Sequence, residues 1–181
     1  KLIKVPGGSF VVMQCHLCRQ TDSLLLLDLQ QQPLANKYPT RAEFATEDFF
    51  PLQVHFCRQC KNVQLGTFIS RDRMFKDYYY LSSVNAGLVR HFEALAKTLV
   101  GARLVVDIGS NDGILLKPLR ELGVKAIGVE PSINVSKLAN DQGLPTINAF
   151  FNAATVVQIK KDHGSADVVV ASSIFTHLED P

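Results

Sequence analysis

The sequence predicts an α/β protein: an open parallel sheet with helices on both sides, preceded by a small cysteine-bearing module. Three observations carry that expectation. Short Val/Ile runs alternate with helical patterns from about residue 102 onward. One run, LVVDIGSNDG (104–113), breaks at a glycine turn. All four cysteines fall early, in two C-x-x-C pairs, Cys15–Cys18 and Cys57–Cys60. Strands buried on both faces read as continuous apolar runs, and their alternation with helices is the rhythm of crossover units around a parallel sheet.

Taken in order, residues 10–65 hold the cysteines and few helical patterns. Val84, Leu88, Phe92, Leu95 and Leu99 then recur at helical spacing. They predict one amphipathic helix that Ser82 or Ser83 caps and Gly101 ends. After LVVDIG comes a helix over Gly113–Leu122, with Pro118 expected to kink it. KAIGVE is a second strand, Ser132 caps a helix ending near Gly143, and TINAFF is a third strand. Asn152 caps a helix ending near Gly164, and ADVVVAS is a fourth strand. No repeat or low-complexity tract interrupts this order.

Composition excludes several classes. The net charge is +2 and hydrophobic residues make up 46% of the chain. That supports a packed core and gives no concentrated basic face for nucleic acid. No apolar run nears the roughly 20 residues that span a bilayer; Leu24–Leu27 is the densest cluster. The opening residues, KLIKVPGGSF, lack the apolar stretch of a secretory leader. The expectation is a cytoplasmic protein.

In a reducing compartment two C-x-x-C pairs read as a metal site. Each tight turn offers two thiolates to one ion, and two turns close the four-sulfur shell of structural zinc. The ion would supply folding energy to a segment with little core of its own. Reduced thiols in a small core and an iron–sulfur centre are the other readings. His16 and His55 stand beside the pairs, but four sulfurs already close the shell.

Three cofactors compete for the glycine turn. A phosphate-binding P-loop needs Gly-Lys-Ser/Thr, whereas Ile114 and Leu115 follow Gly113. A dinucleotide turn needs a middle glycine beside the pyrophosphate; Asn111 stands there, and Asp112 adds negative charge. An NAD-dependent enzyme is therefore disfavoured. S-adenosylmethionine carries no phosphate, and its sulfonium and ammonium would be drawn to Asp107 and Asp112 by Coulomb attraction. Glu130, about 20 residues downstream, can accept both ribose hydroxyls. Phe150 and Phe151 close the third run, where an adenine ring can pack, although burial in the core is the plainer role for either.

With these residues in hand, the chain resembles the zinc-containing sugar C-methyltransferases. These methylate nucleotide-linked 4-keto-deoxysugars with S-adenosylmethionine. The words that match are the two cysteine pairs, LDLQQQPLAN (27–36), VQL (63–65), DYYYLSS (77–83), DIGSNDG (107–113), GVEP (128–131), FF (150–151) and IFTHLED (174–180). The resemblance implies a Rossmann-like class I methyltransferase sheet behind a zinc-ribbon-like module. The divisions would be 1–65 for zinc, 66–101 for a helical connector and 102–181 for an incomplete cofactor domain. It also implies zinc at Cys15, Cys18, Cys57 and Cys60, and cofactor contacts at Gly109, Asn111, Gly113 and Glu130. The aromatic word falls on Tyr78, Tyr80, Ser82 and Ser83. An aromatic from it, taken as Tyr80, and the histidine after the fourth strand, His177, would line the active site, with Tyr78 and Ser172 on the cofactor side. Without the resemblance His177 reads as a solvated loop residue and Tyr79 and Tyr80 as interface aromatics. His91 and His163 read as helix-surface residues.

Departures bear on this. Ser172–Ser173 stand where the family has Asn-Asn, and Arg19 and Lys61 follow the cysteine pairs where a glycine would relax the turn. The family's further strands, main catalytic base and substrate domain would lie beyond Pro181. The expectation is a fragment or truncated relative that transfers no methyl by itself. In the complete enzyme a base would remove the proton α to a ketone, and the enolate would take the methyl. The rival from another class is a non-catalytic zinc protein that binds a cofactor or a partner. An open fourth strand would invite self-association across the sheet edge.

Overall fold

The computed structural model describes residues 2–4 and 10–177. The chain divides into two compact units, one up to Ser70 and one from Arg71 onward.

The first unit is antiparallel. β1 (Leu2–Lys4) pairs with β2 (Phe10–Val12). β3 (Ser23–Pro33), β4 (Phe49–Cys57) and β5 (Val63–Leu65) form a second sheet in the order β3-β4-β5. The Cys15–Cys18 turn precedes β3, and the Cys57–Cys60 turn joins β4 to β5. The leucines of β3 are largely exposed. Its register against β4 shifts twice. At the second shift Gln30 has φ +61°, and the Asp28 carboxylate accepts from the Gln30 N–H at 2.8 Å and from Gln53 Nε2 at 2.8 Å. That side chain fills donors which a bulge leaves unpaired.

The second unit is the α/β part. α1 (Arg71–Phe75) leads through a 3₁₀ turn at Ser82–Val84 to α2 (Ala86–Thr98). There follow β6 (Val105–Ile108), α3 (Leu116–Glu121), β7 (Ala126–Val129), α4 (Ile133–Asp141), β8 (Thr146–Ile147), α5 (Ala153–His163) and β9 (Val168–Val170). The four strands are parallel in the order β8-β7-β6-β9. Successive β6 residues serve opposite faces, as the pleat requires. Val105 packs with Phe92, Ala96, Leu116 and Leu119. Val106 packs with Ile127, Val129 and Ile159.

Several local expectations change. The first helix is capped by Asn85, whose side chain accepts from Leu88 N, rather than by a serine. Val84 is consequently left outside the helix and 74% exposed. α3 starts at Leu116 rather than Gly113, which puts Pro118 in the first turn. The N–H that proline lacks has no intrahelical partner there in any helix, so Pro118 removes no bond from α3. The third strand closes after Ile147, and Phe150 and Phe151 lie beyond it. Ser132 begins α4 without a side-chain capping bond, because its hydroxyl is spent on Glu130. Asn152 caps α5 as expected, accepting from Thr155 N.

Candidate functional site

The first unit brings its four cysteines to one point. Their sulfurs all lie within 4.8 Å of one another, with Cys15 Sγ 3.6 Å from Cys60 Sγ and Cys18 Sγ 3.5 Å from Cys57 Sγ. A tetrahedral zinc with bonds of about 2.3 Å would set such edges near 3.8 Å. The two turns repeat each other. Arg19 N donates to Cys15 O and Lys61 N to Cys57 O, each at 2.9 Å. Cys15 N donates to Gln20 O and Cys57 N to Asn62 O, each at 2.8 Å. All four thiols are free of disulfides.

Electrostatics point the same way. Burial raises the Cys15 thiol, but the N–H groups of Cys18 and Leu17, with the thiols of Cys60 and Cys18, outweigh it and bring it down to about 6. The Gln20 N–H lowers Cys18, yet burial and the three neighbouring sulfurs push it up to about 12. One thiolate thus opposes ionisation of the next, a repulsion that a divalent cation reverses. The residues fit zinc. His16 stacks on Phe68, centroids 3.7 Å apart. His55 is buried, and burial holds its imidazole below the usual range.

The second unit carries a cleft of about 260 Å³ at the carboxyl ends of β6 and β7, where open α/β sheets bind ligands. Gly109 (φ +68°) turns the chain out of β6, and a side chain there would collide with Ile174. Asn111 occupies the left-handed region at φ +50°, which asparagine tolerates better than most residues. Glu130 ends β7 with its carboxylate pinned. Oε2 accepts from Asn111 N at 3.0 Å. Oε1 accepts from Ser132 N at 2.9 Å and Ser132 Oγ at 2.5 Å.

Of the residues named from sequence, Tyr78, Tyr80, Gly109, Asn111, Glu130, Phe150, Phe151, Ser172 and His177 line this cleft. Asp107, Asp112 and Gly113 do not. Asp107 is buried beneath the turn, and its carboxyl is pushed up to about 7 by burial and then by the charge of Glu130. Asp112 faces the segment before α2: its Oδ2 accepts from Ser83 N at 3.1 Å and Ser83 Oγ at 2.5 Å. Gly113 (φ +84°) packs against Leu144. His177 sits edge-on to Phe75 at 5.4 Å. Ser173 has φ +58°, a conformation that suits the asparagine of the resemblance better than serine.

The sequence reading passed over Arg71 and Phe75. Both line the cleft, and the Arg71 guanidinium lies 4.7 Å from the Phe150 ring centroid. They belong to a short helix with no recognisable word, so only its position reveals them.

A parallel sheet, a glycine turn and a pinned acidic residue at the next strand end define a nucleoside-cofactor domain, here behind a four-cysteine metal module. Residues 80–181 match the family described as "Methyltransferase domain", and residues 15–75 match one described as "Putative zinc binding domain". The chain belongs to this methyltransferase domain family. It is 33% identical over 174 residues to the C-methyltransferase NovU of Streptomyces niveus, taking in 92% of this chain and 41% of that protein. It is 32% identical over 105 residues to a ubiquinone biosynthesis O-methyltransferase of Bradyrhizobium diazoefficiens, taking in 55% and 40% respectively. The chain thus spans less than half the length of either relative. Among solved structures, the magnesium protoporphyrin IX methyltransferase of Synechocystis with bound SAM aligns at 17% identity and a TM-score of 0.40, covering 52% of this chain and 49% of that one. The cofactors that match this family and this cysteine cluster are S-adenosylmethionine and zinc.

Proposed function

We propose that the protein takes part in C-methylation of a nucleotide-linked 4-keto-deoxysugar. The observation that carries this reading is the extent of the likeness to a C-methyltransferase. It runs through the cysteine module as well as the sheet, while the O-methyltransferase relative matches only 55% of the chain. Bound in the cleft, S-adenosylmethionine would supply an electrophilic methyl on a sulfonium.

The chain's own residues orient the reactants. The pinned carboxylate of Glu130 keeps one acceptor site, on Oε2, for a ribose hydroxyl. Phe150 and Phe151 offer an apolar surface to adenine. Tyr78, Tyr80 and Phe75 wall the cleft against water. His177 stands at its rim, where it can donate a hydrogen bond to an oxygen that gains charge as the sugar becomes an enolate. Zinc would hold the first unit folded rather than join the chemistry, since four sulfurs leave no open position.

A further expectation belongs to this reading: the protein works in the cytoplasm. No helix among the described residues is long and apolar enough to cross a membrane.

The test is calorimetric titration with S-adenosylmethionine, then incubation of the protein with methyl-labelled cofactor and a nucleotide-linked keto sugar. Submillimolar binding and label on a sugar carbon are expected. Label on oxygen overturns the C-methylation assignment, and no binding leaves a zinc scaffold.

A further inference from the structure

Residues 76–81 join α1 to the 3₁₀ turn before α2 and have no regular secondary structure. Such a stretch should be loosely held, because its backbone groups lack ladder partners. Here they are taken up by side chains of the cofactor loops. Asn134, in the first turn of α4, accepts from Tyr78 N at 3.2 Å and donates through Nδ2 to Tyr78 O at 2.7 Å. Asn111 repeats the pattern further along. Its Oδ1 accepts from Ser82 N at 2.8 Å and its Nδ2 donates to Tyr80 O at 3.1 Å. Asp112 closes the series on Ser83. Ile133 N adds a backbone bond to Lys76 O at 3.0 Å.

An amide that both donates to and accepts from a backbone imitates a neighbouring strand. Two such amides fix alternate residues, Tyr78 and the Tyr80–Ser82 step, and both tyrosines line the cleft. The clamp also shares a residue with the ribose acceptor: Asn111 holds the wall through its side chain, and its backbone N–H donates to Glu130. A ligand engaging Glu130 therefore meets a wall already held by the same turn.

We propose that Asn134, with Asn111 and Asp112, is a positioning residue that holds the Tyr78–Ser83 segment as the aromatic wall of the cleft. It acts on ligand affinity through Tyr78 and Tyr80. This rests on the cofactor reading above for the identity of the ligand. It also reassigns the departures from a dinucleotide turn: Asn111 and Asp112 serve the wall rather than attract a cation.

Asn140 supplies the control. It lies on the same helix and makes the same kind of contacts away from the wall, donating to Ser136 O at 3.0 Å and Thr146 O at 2.8 Å and accepting from Thr146 N at 3.0 Å. Three of the four tyrosines fall at 78–80 and the chain has no tryptophan, so near-ultraviolet circular dichroism reports mainly on this wall.

The experiment compares Asn134→Ala, Ser83→Ala and Asn140→Ala, titrated with S-adenosylhomocysteine and followed by tyrosine dichroism and melting. Asn134→Ala is expected to weaken binding about tenfold, the worth of one to two hydrogen bonds, and to flatten the tyrosine signal. Ser83→Ala should move both in the same direction by less. Asn140→Ala should lower the melting temperature yet bind within about twofold of the parent, as loss of contacts away from the site would. Parent-like binding by Asn134→Ala, or equal losses in Asn134→Ala and Asn140→Ala, overturns the proposal. If the parent chain binds no S-adenosylhomocysteine, the cofactor reading fails, and the tyrosine signal of the unliganded variants still decides whether Asn134 holds the wall.

Discussion

The two units are held by different forces. Around the sheet, Leu115, Leu116, Leu119, Val105, Val129 and Val135 are almost wholly buried. In the cysteine unit the described buried side chains are Met13, Cys15, His55 and Cys57, while Leu24, Leu25, Leu26, Leu27 and Leu29 of β3 stay exposed. Hydrophobic burial stabilises the second unit unaided. Among the described residues of the first unit few side chains are buried, so ligation at the cysteines is expected to supply its stability. One chain thus contains a fold set by patterning and a fold set by four sulfurs.

The largest effect should separate these units outright. Structural zinc contributes on the order of 10 kcal/mol in small metal modules. Cys57→Ser, or a strong chelator, is expected to unfold the first unit while the second keeps its helical circular dichroism. Simultaneous loss of both would break the comparison.

Acidity should sharpen it, because the units respond with opposite sign. Thiolate ligation weakens as pH falls. Asp107, raised to about 7, binds a proton in the folded state that the unfolded chain has released. Its contribution is present below the usual carboxylate value and is lost as pH rises from about 4 to about 7. Denaturant titrations of the second unit across that window should show stability falling with rising pH, by up to about 4 kcal/mol for a fully buried group. Asp107→Asn should flatten the slope; an unchanged slope would mean that another group carries it.

Next in size is Glu130→Ala. Loss of a buried charge-assisted acceptor should weaken S-adenosylhomocysteine about 100-fold, or about 3 kcal/mol, without changing zinc content by atomic absorption. Zinc loss in this variant would tie the units together energetically. The smallest effect belongs to the cysteine turns. Arg19 (φ +60°) and Lys61 (φ +67°) sit in left-handed backbone, which costs about 1 kcal/mol in a non-glycine residue. Lys61→Gly should slow chelator-driven zinc loss a few-fold; faster loss would show that the turn is not strained.

Legibility followed the range of the interactions. The parallel sheet, the cysteine pairs and the Gly109–Glu130 relation were readable because each is local or rests on a pattern that repeats along the chain. Asn85 took the cap expected of a serine because α2 begins at Ala86, with Ser82 and Ser83 in the 3₁₀ turn before it and the Ser83 hydroxyl bonded to Asp112. Pro118 falls in the first turn because the helix begins three residues later than its apolar pattern suggested. Asn134 carried no signal, since a lone asparagine in a helix looks like surface until its partner, Tyr78, is brought beside it.

By itself the sequence determined the order of elements from α2 onward, the four metal-ligating sulfurs and the turn that excludes a pyrophosphate. These follow from φ preferences, thiol chemistry and hydrophobic period, all carried by residues near one another in the chain. Only the tertiary structure decided which acidic groups face the cleft and which lie beneath or behind it. Asp107, Asp112 and Glu130 are alike in sequence, but burial against the sheet, a bond to Ser83 and a pinned place at the end of β7 make them three different groups.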